Sequence, residues 1–201
     1  MPQLTIVARP NGSGKTTLVQ SGAIGALLDL PDLSINADDI ARSLAGGRHP
    51  EAAESLRAAQ IADAQLDAAI ASGTDVLIET VLSSDKFKSR VITAKQAGFE
   101  FSLIYVTVRD AVLNVTRVGR RVELGGHPVP ADRITARRQR SHVMFEWFAQ
   151  EADTVLVFDN SGLAAVLAAM KDGDVWTTPN LRRLPPDLSA LLRRLASSKP
   201  R

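Results

Sequence analysis

Near-continuous apolar runs stand at 4–8, 76–78, 101–108 and 154–158. Such runs predict strands buried on both faces rather than half-solvated ones. Here the strands are read over 4–8, 75–79, 101–108 and 154–158, with a short one over 34–37. Between them, apolar positions recur at helical spacing. Helices are expected over 16–28, 40–45, 50–72, 85–97, 110–122 and 131–149, with a short one ending at Met170. Gly73 and Gly98 follow two of these segments, where a residue just past a helix adopts the left-handed conformation. The β-α alternation predicts an α/β fold, a parallel sheet of about five strands flanked by helices. From Thr178 the chain is Pro- and Arg-rich, and Leu188, Leu191, Leu192 and Leu195 are spaced to fit either a docked helix or a frayed end. The organisation reads as one domain over 1–175 and a basic Pro- and Leu-containing tail over 176–201.

Composition narrows the class without deciding it. The 201 residues are 45% hydrophobic, enough for one domain with a full core. Cysteine is absent, which excludes disulfides and thiolate metal sites. No apolar run approaches the roughly 18 residues of a membrane span, and the start lacks a basic segment leading into an apolar one. The reading is cytoplasmic, with no membrane partner. Net charge is only +2. Yet Arg117, Arg120, Arg121, Arg133, Arg137, Arg138 and Arg140 crowd one segment, opposed there by Glu123 and Asp132. Such a cluster holds phosphates in a site or binds nucleic acid. The aromatics Phe145, Trp147 and Phe148 follow it at core-like spacing, which favours phosphates over nucleic acid.

The first strand leads into Arg9-Pro10-Asn11-Gly12-Ser13-Gly14-Lys15-Thr16-Thr17 and then a helical pattern. That is a phosphate-binding loop in its strand–loop–helix setting. Backbone N–H groups of such a loop and of the helix start converge on phosphate oxygens. Asn11 through Thr17 are the expected ATP contacts, with Lys15 on the β- and γ-phosphates and Thr16 on Mg²⁺. The full pattern calls for glycine where this chain has Arg9. Three consequences stand open. Arg9 helps hold a phosphate, or it impairs nucleotide binding, or its φ stays negative and its side chain projects away from the nucleotide. The last is preferred.

Ligands of open parallel sheets bind beyond the carboxyl ends of the strands. The strands here end in the phosphate loop, in Asn36-Ala37-Asp38-Asp39, in Glu79-Thr80 and in Asp159-Asn160. Of two successive acids, one can cap the helix expected near Ile40 while the other faces the cleft. His127, between Gly126 and Pro128, fits a structural or substrate-contact role better than proton transfer. His49 and His142 have no metal-site spacing.

The ordered set resembles the zeta-toxin-type kinases. It comprises the phosphate loop, Ile35 to Ala41, Ile78 to Ser83, Arg117 through Gly125-Gly126-His127-Pro128-Val129-Pro130, Arg137 to Ser141, and Asp159-Asn160-Ser161. The resemblance runs from about residue 4 to about 162. It implies transfer of the ATP γ-phosphate to a hydroxyl of a nucleotide sugar, UDP-N-acetylglucosamine in the best-known members, or of a similar small molecule. It also implies a toxin held by an antitoxin protein. Asp38 is then the base, Lys15, Arg117 and Arg121 serve the transferred phosphoryl group, and Arg137 and Arg140 contact the triphosphate. Glu79, Thr80 and His127 lie on the substrate side. Arg9 departs from the family's usual glycine. Phosphoryl transfer asks mainly for positioning and charge neutralisation, which suits lysine, arginine and Mg²⁺.

Another reading is an ATP-binding switch or ATPase module whose output is a partner interaction. It needs an acid after an apolar strand beside the loop, and Val76-Leu77-Ile78-Glu79 is a partial match. A nucleic-acid enzyme using the basic segment ranks third.

Overall fold

A computed structural model describes residues 1–10, 12–13, 24–123 and 129–198, with Arg121 as backbone alone. Its centre is a seven-stranded sheet in the order β2-β3-β1-β4-β5-β6-β7. The strands are β1 (Gln3–Ala8), β2 (Ser34–Ile35), β3 (Val76–Thr80), β4 (Glu100–Thr107), β5 (Thr154–Asp159), β6 (Val166–Asp172) and β7 (Val175–Thr177). The first five in that spatial order pair in parallel, and β6 and β7 extend the β5 edge in antiparallel pairing. The described helices are α1 (Ala37–Leu44), α2 (Ala52–Ser72), α3 (Lys88–Gln96), α4 (Ala111–Glu123), α5 (Ala131–Glu151) and α6 (Pro186–Ser197). Their bounds lie close to those expected from periodicity. Most of the expected helix over 16–28 lies outside the described residues.

Side-chain parity explains why the strands are apolar throughout. Leu4, Ile6 and Ala8 of β1 join Phe101, Leu103 and Tyr105 of β4 and Val155 and Val157 of β5 in one core. Val7, Ile104, Val106, Leu156 and Phe158, the residues between, form the core of the opposite face. Successive residues of a strand point to opposite faces, so burial on both sides requires apolar residues at both parities. The first core also takes Leu66 and Ile70 from α2, Val91 from α3 and Phe145 and Phe148 from α5. Leu188, Leu192 and Leu195 of α6 are buried in it too, so this part of the tail is a docked helix.

One expected element is replaced. The short helix ending at Met170 is instead strand β6, which returns along β5. Alanine and leucine over 163–170 favour helix intrinsically. Pairing with β5 overrides that preference, because Ala168 and Ala169 are wholly buried in the sheet. Gly173, at φ +53°, makes the tight turn into β7. Beneath the hairpin, Lys171 is 8% exposed and donates from Nζ to the carbonyls of Ala149 (3.2 Å), Gln150 (3.3 Å) and Ala152 (2.6 Å). Its charge thus satisfies the carbonyl end of α5, where the helix dipole is negative.

Candidate phosphate-loop and acceptor site

β1 is flanked by β3 and β4. Whatever follows β1 therefore lies beside the ends of its neighbours, and those ends hold the loop. The Arg9 backbone N–H donates to the Thr80 carbonyl at 2.8 Å, continuing the β1–β3 ladder one residue further. The Ser13 N–H donates to the Pro10 carbonyl at 3.0 Å, closing a turn over 10–13. Gly12 sits at φ +78°, and a Cβ there would lie 2.4 Å from the Asn114 carbonyl oxygen. Only glycine meets both the backbone angle and this approach of α4.

Two amides hold the loop from outside. Asn160 Nδ2 donates to the Ser13 carbonyl at 2.7 Å, and Asn114 Nδ2 donates to Ser13 Oγ at 3.3 Å. Asn114, Ser13 and Asn160 are all buried. Arg117 stands behind Asn160, donating to its carbonyl at 2.8 Å and to that of Ser161 at 3.4 Å. Asp159 accepts from Ser161 Oγ at 2.5 Å and from Arg183 Nε at 3.0 Å. The β5 end and the loop are therefore one hydrogen-bonded unit. Sequence reading did not find Asn114, since an asparagine inside a helix carries no motif.

A second cluster joins the ends of β1, β2 and β3. The Arg9 guanidinium forms an ion pair with Glu79 Oε2. Arg9 is 7% exposed and its φ is not positive. The arginine is thus accommodated without left-handed strain, and its side chain is turned inward to an acid rather than projecting outward. Asn36 Nδ2 donates to the same Oε2 at 2.9 Å, while Asn36 Oδ1 accepts the Asp38 N–H at 3.0 Å. Asn36, not Asp38 or Asp39, is accordingly the N-cap of α1. Both aspartates lie in the helix's first turn, favourable for negative charge. Asp39 pairs with Arg42 at 2.5 Å, and Asp38 is exposed. Thr80 Oγ1 accepts the Leu82 N–H at 3.1 Å, and Leu82 adopts φ 55°. That conformation costs a bulky residue about 1–2 kcal/mol, and here the Leu82 side chain is buried in the core.

The structure therefore ties Ser13 to Asn114 and Asn160, with Arg117 behind Asn160, and ties Arg9 to Glu79 and Asn36, while Asp38 lies two residues past Asn36 in the first turn of α1. Arg137 is half-buried and Arg140 exposed on α5. Their neighbour Arg138 donates to the carbonyls of Val108 (2.8 Å) and Arg109 (3.1 Å), bracing the chain that leaves β4. Asn11, Gly14, Lys15, Thr16, Thr17, His127 and the Arg121 side chain lie outside the described residues. No group of three or more His, Cys, Asp or Glu side chains suited to a metal occurs among the described residues. No described helix is long and apolar enough to cross a membrane.

Comparison with known proteins agrees with this architecture. An uncharacterized protein of Haemophilus influenzae is 30% identical over 127 residues, covering 63% of this chain and 86% of that protein. The crystal structure of AvrRxo1-ORF1:-ORF2 with ATP is similar at TM-score 0.67 and 15% identity, over 98% of this chain and 64% of that one. A structure from the PezAT chromosomal toxin-antitoxin system of Streptococcus pneumoniae is similar at TM-score 0.63 and 15% identity, over the whole of this chain and 80% of that one. The Pnkp1/Rnl/Hen1 RNA repair complex contains a chain similar at TM-score 0.56 and 19% identity, over 83% of this chain and 48% of that one. This chain thus spans under two thirds of the first and third of these structures. At such identities the likenesses show the fold alone, a mostly parallel α/β sheet flanked by helices. The family model described as an AAA domain matches residues 4–145, well over half of the sequence, and the chain belongs to that family.

Proposed function

We propose that the protein is an ATP-dependent small kinase that phosphorylates a hydroxyl of a nucleotide sugar or a similar small molecule. The observation that supports this reading is the hydrogen bond from Asn36 to Glu79, which with the Arg9–Glu79 ion pair links the first position of the loop motif to the N-cap of the helix bearing Asp38.

The residues present fit a nucleotide triphosphate. Gly12 lets the backbone turn where a Cβ would collide, and Ser13 is fixed by two amides, so these two positions are held in advance of binding. Arg9 offsets the charge of Glu79 beside the loop. Lys15 and Thr16 would hold the phosphates and Mg²⁺, by the sequence motif. When bound, Mg-ATP supplies the transferable phosphoryl group and the divalent charge. Asp38 accepts the proton of the acceptor hydroxyl on a carboxylate oxygen, and as an exposed residue of a helix's first turn it can be reached by a small molecule. Arg121, Arg137 and Arg140 are the proposed cations for the triphosphate, with His127 and Thr80 on the acceptor side. Arg117 supports the site through the backbone of Asn160 and Ser161.

The switch or ATPase reading would employ Glu79 as the acid after the strand beside the loop. Its Oε2 is engaged by Arg9 and Asn36, which favours the kinase. Likeness to the PezAT structure supports a toxin role with an antitoxin-type protein partner. The test is incubation with ATP, Mg²⁺ and a panel of nucleotide sugars, UDP-N-acetylglucosamine first, followed by mass spectrometry. One added phosphate on an acceptor is expected. ATP hydrolysis with no phosphorylated acceptor would replace this reading with the ATPase.

A further inference from the structure

The side chain of Asn36 is bonded at both ends, and the two ends are not interchangeable. Its oxygen caps α1 at Asp38, and its NH₂ group faces Glu79. If the amide were flipped, NH₂ would meet the Asp38 N–H and oxygen would meet a carboxylate. Both contacts would be repulsive, donor against donor and acceptor against acceptor. A fixed carboxylate on the Glu79 side therefore dictates the orientation that caps the helix.

Arg9 fixes that carboxylate. Its guanidinium is 7% exposed and so requires an anion beside it, and Glu79 is that anion. The chain Arg9, Glu79, Asn36, Asp38 N–H thus runs from the first position of the phosphate loop to the first turn of α1. Arg9 occupies the position where the loop motif has glycine. The departure from the motif carries one end of this relay.

We infer that Asn36 is a positioning residue for Asp38, its amide oriented by the Arg9–Glu79 ion pair. The catalytic part of this inference rests on the proposed reading of Asp38 as the base, whereas the relay itself can be tested without nucleotide or acceptor.

The experiment is amide hydrogen exchange by NMR on the full chain, with the Leu192 amide in buried α6 as control for the fold. In Glu79→Ala, exchange at Asp38 should rise about tenfold while Leu192 is unchanged, as expected for loss of a helix cap. Glu79→Gln keeps an oxygen for Asn36 but removes the anion that Arg9 requires, so protection at Asp38 should lie between Glu79→Ala and wild type. Protection at Asp38 within about twofold of wild type in Glu79→Ala, with Leu192 unchanged, would overturn the relay. If Glu79→Ala loosens Leu192 as well, Asn36→Ser decides. Its hydroxyl can still cap α1 but has no amide to orient, so adding Glu79→Ala to Asn36→Ser should no longer raise exchange at Asp38, and an equal rise with and without Asn36→Ser would overturn the relay. With Mg-ATP and UDP-N-acetylglucosamine as probe, Asn36→Ser should lower kcat about tenfold and leave KM for ATP within about twofold. Inert wild-type protein would count against that acceptor and leave the exchange comparison to decide the relay.

Discussion

The side-chain amide of Asn160, at the end of β5, donates to the Ser13 carbonyl across 2.7 Å, tying the phosphate loop to a strand almost 150 residues further along the chain. Asn160 is 1% exposed, and its own oxygen has no partner among the described residues. The amide is therefore there to donate. Asn160→Ala should cost about 1–3 kcal/mol by leaving a buried carbonyl without its donor. Asn160→Asp should cost more, because it also buries a charge against that carbonyl. Urea denaturation orders the three proteins. An Asp variant as stable as wild type would remove the assigned role.

Gly12→Ala tests the other side of the loop. The substitution meets both a left-handed backbone angle and a Cβ position 2.4 Å from the Asn114 carbonyl. Either α4 shifts or the turn over 10–13 opens. A loss of at least about 2 kcal/mol in stability is expected, more than the strain of a left-handed residue alone. Affinity for a fluorescent ADP analogue should fall with it. Normal stability and normal binding together would mean that α4 does not press on the loop.

Much of this architecture was legible because it rests on local rules. Unbroken apolar strands imply burial on both faces, and β1, β3, β4 and β5 appear within a few residues of their expected positions. The phosphate loop follows from spacing alone. What could not be read depends on contacts between distant positions. Strand β6 looks helical until β5 is beside it. Arg9 and Glu79 are 70 positions apart, and nothing local says that the arginine turns inward. Asp159-Asn160 is legible as a strand end, but that Asn160 and Asn114 both bond to Ser13 is not, because those pairs are distant in the chain. The two aspartates after Asn36 are equally good caps by residue type, so only the fold distinguishes Asn36.

His142 gives the fold a pH dependence. Its Nδ1 lies 2.5 Å from Asp187 Oδ2 on α6, and its Nε2 is buried with no partner among the described residues. Neutral imidazole fits, donating from Nδ1. Protonation would add a buried N–H with nothing to receive it. Burial accordingly holds the His142 pKa below its ordinary value of 6.5, with the Asp187 hydrogen bond opposing. The folded protein thus binds this proton less readily than the unfolded chain, so stability is full above the unfolded value and declines as pH falls through it. Urea midpoints at pH 7.5 and pH 5.5 should show the acid sample to be weaker. His142→Gln can still donate to Asp187 but does not titrate, and should show a smaller difference. An equal difference in both proteins would place the effect on other groups.

Arg9→Gly restores the motif, and intuition expects the repaired loop to bind nucleotide better. The structure argues the opposite. Arg9 already has a permitted φ, so glycine relieves no strain. The replacement instead removes the cation paired with Glu79, a residue 20% exposed beside the loop. The uncompensated carboxylate then repels incoming phosphates and weakens its hold on Asn36. ATP affinity should drop about tenfold, ~1.4 kcal/mol, on the order of one partly screened unit-charge repulsion near a protein surface. Arg9→Lys should lie between, keeping the charge but not the planar fork. The double variant Arg9→Gly with Glu79→Gln separates the causes. If the stranded charge is responsible, neutralising it should recover most of the affinity. If Arg9 instead contacts the nucleotide directly, the double variant should stay as weak as Arg9→Gly. Calorimetric titration of Mg-ATP into the four proteins measures all of these, and tighter binding by Arg9→Gly would show that the ion pair obstructs the site.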